Sequence, residues 1–129
     1  MIDHCSIAVH DHDASKEFYA KALAPLGIGL VMTVTKEEKG GQGSDLTGFG
    51  AKNHPSFWIS EGKAAESLHV CFTAGDRAQV DAFYEAAIAA GAKDNGGPGI
   101  REHYHPNYYA AFVIDLNGVN LEAACQRPS

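Results

Sequence analysis

The chain has 129 residues, 45% of them apolar and 20% charged, enough for one compact domain with its own core and too few for a second domain of ordinary size. Its 16 acidic side chains outnumber 10 basic ones, giving a formal charge of −6. No cluster of Lys and Arg is available to neutralise phosphates, so neither nucleic acid nor a membrane surface is an expected partner, and a small-molecule ligand is.

The opening "MIDHCSIAVHD" lacks the basic and apolar regions of a secretory signal, and no stretch reaches the roughly 20 apolar residues of a membrane span. Cys5, Cys71 and Cys125 have no paired spacing, which fits reduced thiols and a cytoplasmic protein.

"IDHCSIAVH" is short and rich in β-branched and apolar residues, as a strand is. Asp11 or Asp13 can cap a following helix whose apolar stripe is Phe18, Tyr19, Ala22, Leu23 and Leu26, and Gly27 stops it. "GIGLVMTVT", "DLTGFGA" and "SFWIS" read as three further strands, with the Gly-rich "KEEKGGQGS" as a solvated connection. A junction, "SEGKAAES", lies around residues 60–67. Then "SLHVCFTA" reads as a strand, and Asp76 with Gln79 resembles a capping box. Val80, Phe83, Tyr84, Ala87 and Ile88 form one helical stripe before Gly91. "IREHY", "YYAAFVID" and "VNLEAAC" are strand-like, the last two joined by a tight turn at "DLNG".

These elements come in the same order twice. A shift of 65 positions places His4 on His69, Asp11 on Asp76, Phe18 on Phe83, Tyr19 on Tyr84, Ala22 on Ala87 and Ala24 on Ala89. The chain is therefore read as one domain, 1–129, of two βαβββ modules, about 1–62 and about 66–127, in the α+β class.

Alternation along a strand puts His4, Ser6 and Ala8 on one face, and His69, Cys71 and Thr73 on the matching face of the second module. Glu122 sits among apolar neighbours in "NLEAA", where a carboxylate is costly unless paired or bound to a cation. The 65-residue shift pairs it with Phe57. His4, His69 and Glu122 are the candidate metal ligands, and two imidazoles with one carboxylate suit Fe(II), Mn(II), Zn(II) or Ni(II) with open coordination positions. "REHYHPNYY" supplies the candidate catalytic groups, His105 and Tyr109, as contacts to substrate or to a ligand. Cys71 is read as packing, His10, His12 and His54 as surface residues, Arg77 as solvent-facing, and Trp58 as core or interface.

"IDHCSIAVHDHDASKEFYAKALAPLGI", "LHVCFTAGDRAQVDAFYEAAIAAG" and "YYAAFVIDLNGVNLEAA" resemble the module starts and terminal hairpin of the vicinal oxygen chelate superfamily. That group includes glyoxalase I, bleomycin-resistance proteins, fosfomycin-resistance thiol transferases and extradiol dioxygenases. The resemblance implies a metal held by His4, His69 and Glu122, with a fourth ligand position falling at or beside Phe57. It implies a homodimer and leaves open whether modules pair within or between chains. A metal-dependent enzyme of lyase, isomerase, dioxygenase or thiol-transferase type is expected, with a non-catalytic, drug-sequestering binding protein as the alternative. The metal would act as a Lewis acid on adjacent oxygens of a small substrate.

Overall fold

Two aspartates start the two helices. In the computed structural model, which describes residues 2–65 and 67–128, Asp11 accepts a hydrogen bond from the Ala14 N–H at 3.1 Å and opens α1 (His12–Leu23). Asp76 accepts one from the Gln79 N–H at 2.8 Å and opens α2 (Arg77–Ala89). Gln79 reaches back to the Gly75 N–H at 2.6 Å, which completes a capping box displaced by one residue. A short 3-10 turn extends α1 to Gly27, whose φ of 75° is one a side chain would disfavour.

Around α1 lie β1 (Cys5–Val9), β2 (Gly29–Val34), β3 (Leu46–Gly50) and β4 (Phe57–Glu61), in the sheet order β1-β4-β3-β2. Around α2 lie β5 (His69–Thr73), β8 (Tyr109–Ile114) and β9 (Asn120–Cys125), with the two-residue strands β6 (Lys93–Asp94) and β7 (Gly99–Ile100) both paired to β8. The order there is β5-β9-β8-β6. The first strand of each module runs parallel to the last, β1 with β4 and β5 with β9, and the remaining pairs are antiparallel. The α+β architecture of two helix-bearing modules is as expected, with βαβββ in the first and one additional short strand, β6, in the second. The stretch "IREHY" differs: only Gly99 and Ile100 pair, and residues 101–108 fold back so that the Arg101 N–H meets the Tyr108 carbonyl at 2.7 Å. Pro106 has no N–H to contribute to a ladder there.

Both helices and the inner faces of both sheets bury one shared core. Phe18, Tyr19, Phe57, Phe72 and Phe83 belong to it, and Phe57 meets Phe72 of the other module edge to face with ring centres 5.3 Å apart. A polar clasp adds to this. The buried Asp115 accepts from the Tyr19 hydroxyl and from the N–H groups of Asn117 at 2.7 Å and Val119 at 2.8 Å. Asn117 in turn donates to Ser15 Oγ at 3.2 Å and accepts from the His10 N–H at 2.7 Å. The "DLNG" turn, with Gly118 at φ 90°, thus ties the second module to the first helix.

Two surface expectations are corrected. His12 is buried, with Nε2 2.7 Å from Thr47 Oγ1 and its N–H donating to Glu61 at 3.2 Å, because the helix start tucks under β3. Arg77 is half-buried, its guanidinium lying 5.2 Å from the centre of the Tyr109 ring. No helix among the described residues is long and apolar enough to cross a membrane.

Candidate functional site

On each sheet, one face packs on the helices and the other is open. In β5 the buried Phe72 points inward, leaving His69, Cys71 and Thr73 on the open face as alternation requires. Register then decides what joins them. Cys71 pairs with Glu122 across the parallel β5–β9 ladder, and Glu122 pairs with Phe112 across the antiparallel β8–β9 ladder. Glu122, Phe112 and, two and four residues back along the chain, Ala110 and Tyr108 therefore lie on the His69 side.

Glu122 is nearly inaccessible, its side chain 4% exposed, yet both oxygens are engaged. Oε2 accepts from the Tyr108 hydroxyl at 2.5 Å, and Oε1 stands 3.1 Å from His69 Nε2. The other ring nitrogen of His69, Nδ1, is 3.0 Å from the Asn120 carbonyl oxygen. A carbonyl can only accept, so Nδ1 carries a hydrogen and a neutral His69 presents the bare lone pair of Nε2 to a carboxylate oxygen. Two acceptors at that separation need a proton or a cation between them. The separation matches two neighbouring donors on one metal ion, which stand roughly 3 Å apart for bonds of roughly 2.1 Å at about a right angle. Anchoring a ligand imidazole through its far N–H on a backbone carbonyl is also the usual support for a metal-binding histidine. Phe112 stacks on the imidazole, ring centres 6.3 Å apart at 22°, which limits rotation of the ring.

The neighbouring groups are held protonated. Burial, then the Glu122 charge, push the Cys71 thiol up to about 12. Burial and the hydrogen bond to Glu122 raise the Tyr108 phenol well above its ordinary value. At neutral pH Cys71 is therefore a thiol rather than a thiolate ligand. A cavity of about 370 Å³ opens beside this group, between Cys71, Thr73, Tyr108 and Arg127.

His4 stands elsewhere. It precedes β1 on the open face of the first sheet, its Nδ1 2.8 Å from Asp3 Oδ1, while Asp3 Oδ2 lies 3.4 Å from His54 Nε2. Both imidazoles help to hold the Asp3 carboxyl below its ordinary value, the His4 hydrogen bond most of all. This trio borders a cavity of about 360 Å³ walled by Leu46, Pro55 and Trp58. The chain thus brings His69 and Glu122 together and leaves His4 in the first module's cavity. Among the described residues, no group of three or more His, Cys, Asp or Glu side chains is arranged to hold a metal ion within one copy.

The register also corrects the fourth position. In the first module Ser6, which corresponds to Cys71, pairs with Trp58, so the counterpart of Glu122 is Trp58. Phe57 is buried in the core and faces away from His4. The offset between modules is 65 at their first strands and 64 at their last, and a slip of one residue exchanges the faces of a strand.

Tyr109 lies on the helix side of its strand, donating to Asp81 at 2.5 Å, and His105 accepts from the Asn107 N–H at 3.0 Å on the exposed loop. It is Tyr108, one residue earlier, that reaches Glu122. The alternation 108, 110, 112 opposite Glu122 was the signal for it.

A family model described as the Glyoxalase/Bleomycin resistance protein/Dioxygenase superfamily matches residues 1–123. A glyoxalase/bleomycin resistance protein from Albidiferax ferrireducens is 27% identical, with a TM-score of 0.76 and 98% of each chain covered. A mutant of the fosfomycin resistance protein FosX from Listeria monocytogenes, complexed with Mn(II) and 1S,2S-dihydroxypropylphosphonic acid, is 14% identical at a TM-score of 0.68, covering 96% of this chain and 88% of that one. Glyoxalase I from Zea mays is 18% identical at a TM-score of 0.69, covering 99% of this chain and 45% of that one. The last two likenesses are of fold. No curated protein sequence matches the chain significantly.

Proposed function

Because the chain belongs to the Glyoxalase/Bleomycin resistance protein/Dioxygenase superfamily, we propose that it is a divalent-metal-dependent enzyme acting on adjacent oxygens of a small substrate. His69 and Glu122 hold the ion, and His4 of a second copy completes the set, since no group of three donors converges among the described residues of one copy. The carrying observation is His69 Nε2 facing Glu122 Oε1 at 3.1 Å while Nδ1 is engaged by the Asn120 carbonyl. The Mn(II) complex of FosX, with its dihydroxypropylphosphonic acid, makes Mn(II) a reasonable first ion to test.

When bound, a divalent ion would supply Lewis-acid polarisation of the substrate oxygens. The protein's own groups have simpler tasks. The Asn120 carbonyl fixes the tautomer of His69, Phe112 fixes its plane, and Tyr108 holds Glu122 by Oε2 so that Oε1 stays directed at the imidazole. Tyr108, kept as a phenol, can also pass a proton to an oxygen in the adjoining cavity.

Metal content after purification without chelator tests this reading. About one ion per chain is expected, lost in His69→Ala, Glu122→Gln and His4→Ala. Mixing unfolded and refolded His4→Ala with Glu122→Gln chains should restore part of the binding, because a mixed pair rebuilds one intact site. Metal retained in His4→Ala would remove His4 from the set. A wild-type protein that binds no divalent ion would leave the non-catalytic binding module, to which the apolar wall around Trp58 is suited.

A further inference from the structure

The two open faces are built in opposite senses at corresponding positions. The second module places Phe112 on β8 and Glu122 on β9, and the first places Gly48 on β3 and Trp58 on β4, in the same register. Gly48 is what admits the indole. A Cβ there would lie 3.0 Å from Trp58 Cζ2 and Cη2 and 2.9 Å from Pro55 Cβ, so the ring lies across the glycine. The half-buried Trp58 is left as a wall of the cavity that also holds Leu46, Pro55, Ser6 and the His4–Asp3–His54 trio.

We propose that this cavity is a recognition site for an uncharged, planar aromatic ring carrying a hydroxyl or carbonyl group. Its volume of about 360 Å³ exceeds the roughly 150 Å³ of a cavity that takes up benzene, leaving room for a substituent. Indole, proline and leucine surfaces suit a flat apolar ring. The polar end is equally specific. Asp3 occupies Nδ1 of His4, so Nε2 is the nitrogen that meets a ligand oxygen in the metal-free protein and would meet the ion in a loaded site, and the Asp3 carboxylate disfavours an anion. The relevance of this ring site to catalysis rests on the proposed function, in which His4 completes the metal set. Ring binding itself needs only one module.

Trp58 is the only tryptophan in the chain, so its emission reports this cavity directly. Chelator-treated protein is titrated with benzyl alcohol, cyclohexylmethanol and benzoate. Saturable change with benzyl alcohol is expected, roughly three- to tenfold weaker affinity for the non-planar alcohol, and weaker binding of the anion. Ser6→Phe, which places a ring beside Trp58 on the neighbouring strand, should abolish saturation while the thermal unfolding midpoint stays within a few degrees of wild type. Linear, unsaturable quenching by benzyl alcohol in the wild type overturns the proposal, and so does equal affinity for the two alcohols. Because metal is absent, ring binding without any metal-binding capacity would sink only the enzymatic reading, and metal binding without ring binding would sink only this one.

Discussion

The open face of the first module and that of the second share a backbone plan and have diverged in side-chain chemistry. One holds a carboxylate masked by a phenol and an imidazole, the other an indole spread over a glycine. The frame beneath them has changed far less: each module keeps an aspartate cap, a buried phenylalanine at the same turn of its helix, and a parallel pairing of first and last strands. Inner faces are constrained by a common close-packed core, where a change of volume is felt at once. Open faces carry no such constraint, and they are where function can drift.

The comparison can be broken most severely at the shared positions. Phe18→Ala and Phe83→Ala each remove a buried ring and should cost about 3–5 kcal/mol in urea unfolding, by similar amounts. A large inequality between them would show that the modules do not contribute equally to one core.

The tyrosines that follow sharpen the contrast. Tyr19 donates to the buried Asp115, whereas Tyr84 donates to the exposed Asp94 at 3.0 Å. Tyr19→Phe should cost about 1.5–3 kcal/mol, the range for a hydrogen bond to a charged group. Burial, then the Asp115 charge, raise the Tyr19 phenol well above its ordinary value of 10.0. Its protonated form is therefore favoured by folding, a contribution complete below pH 10 and lost as pH rises from there through the folded-state value. Wild type should lose stability over that alkaline window more steeply than Tyr19→Phe, as measured by unfolding at pH 9 and pH 11.

Gly48→Ala should come next, at about 1–3 kcal/mol, since the added methyl meets Pro55 and the Trp58 ring. A shift in tryptophan emission should accompany it. Smallest of all, Tyr84→Phe should leave the unfolding midpoint unchanged, because the half-buried ring is kept and the hydrogen bond it loses is exposed to water.

The architecture was legible because its signals are redundant. Paired caps, paired stripes and a single offset all indicated two copies of one module, and the His69 face followed from strand alternation. Other features depended on a single residue of register. Counting 65 positions back from Glu122 lands on Phe57, but one residue fewer separates the ends of the modules than their starts, and that difference places Trp58 on the open face instead. The same parity separates Tyr108 from Tyr109. His12 carried no sequence sign of burial, since its contact with Thr47 joins residues 35 positions apart.

The clasp at Asp115 and Asn117 bears on how copies of this chain could come together. Tyr19, Ser15 and the backbone of His10 in the first half all bond to the final hairpin turn of the second, and the halves also share their aromatic interior. Trading halves between molecules would mean dismantling this latch and opening the interior at once. If copies associate without that opening, the piece that docks is the whole folded chain, and any joint site would be made by two finished surfaces meeting.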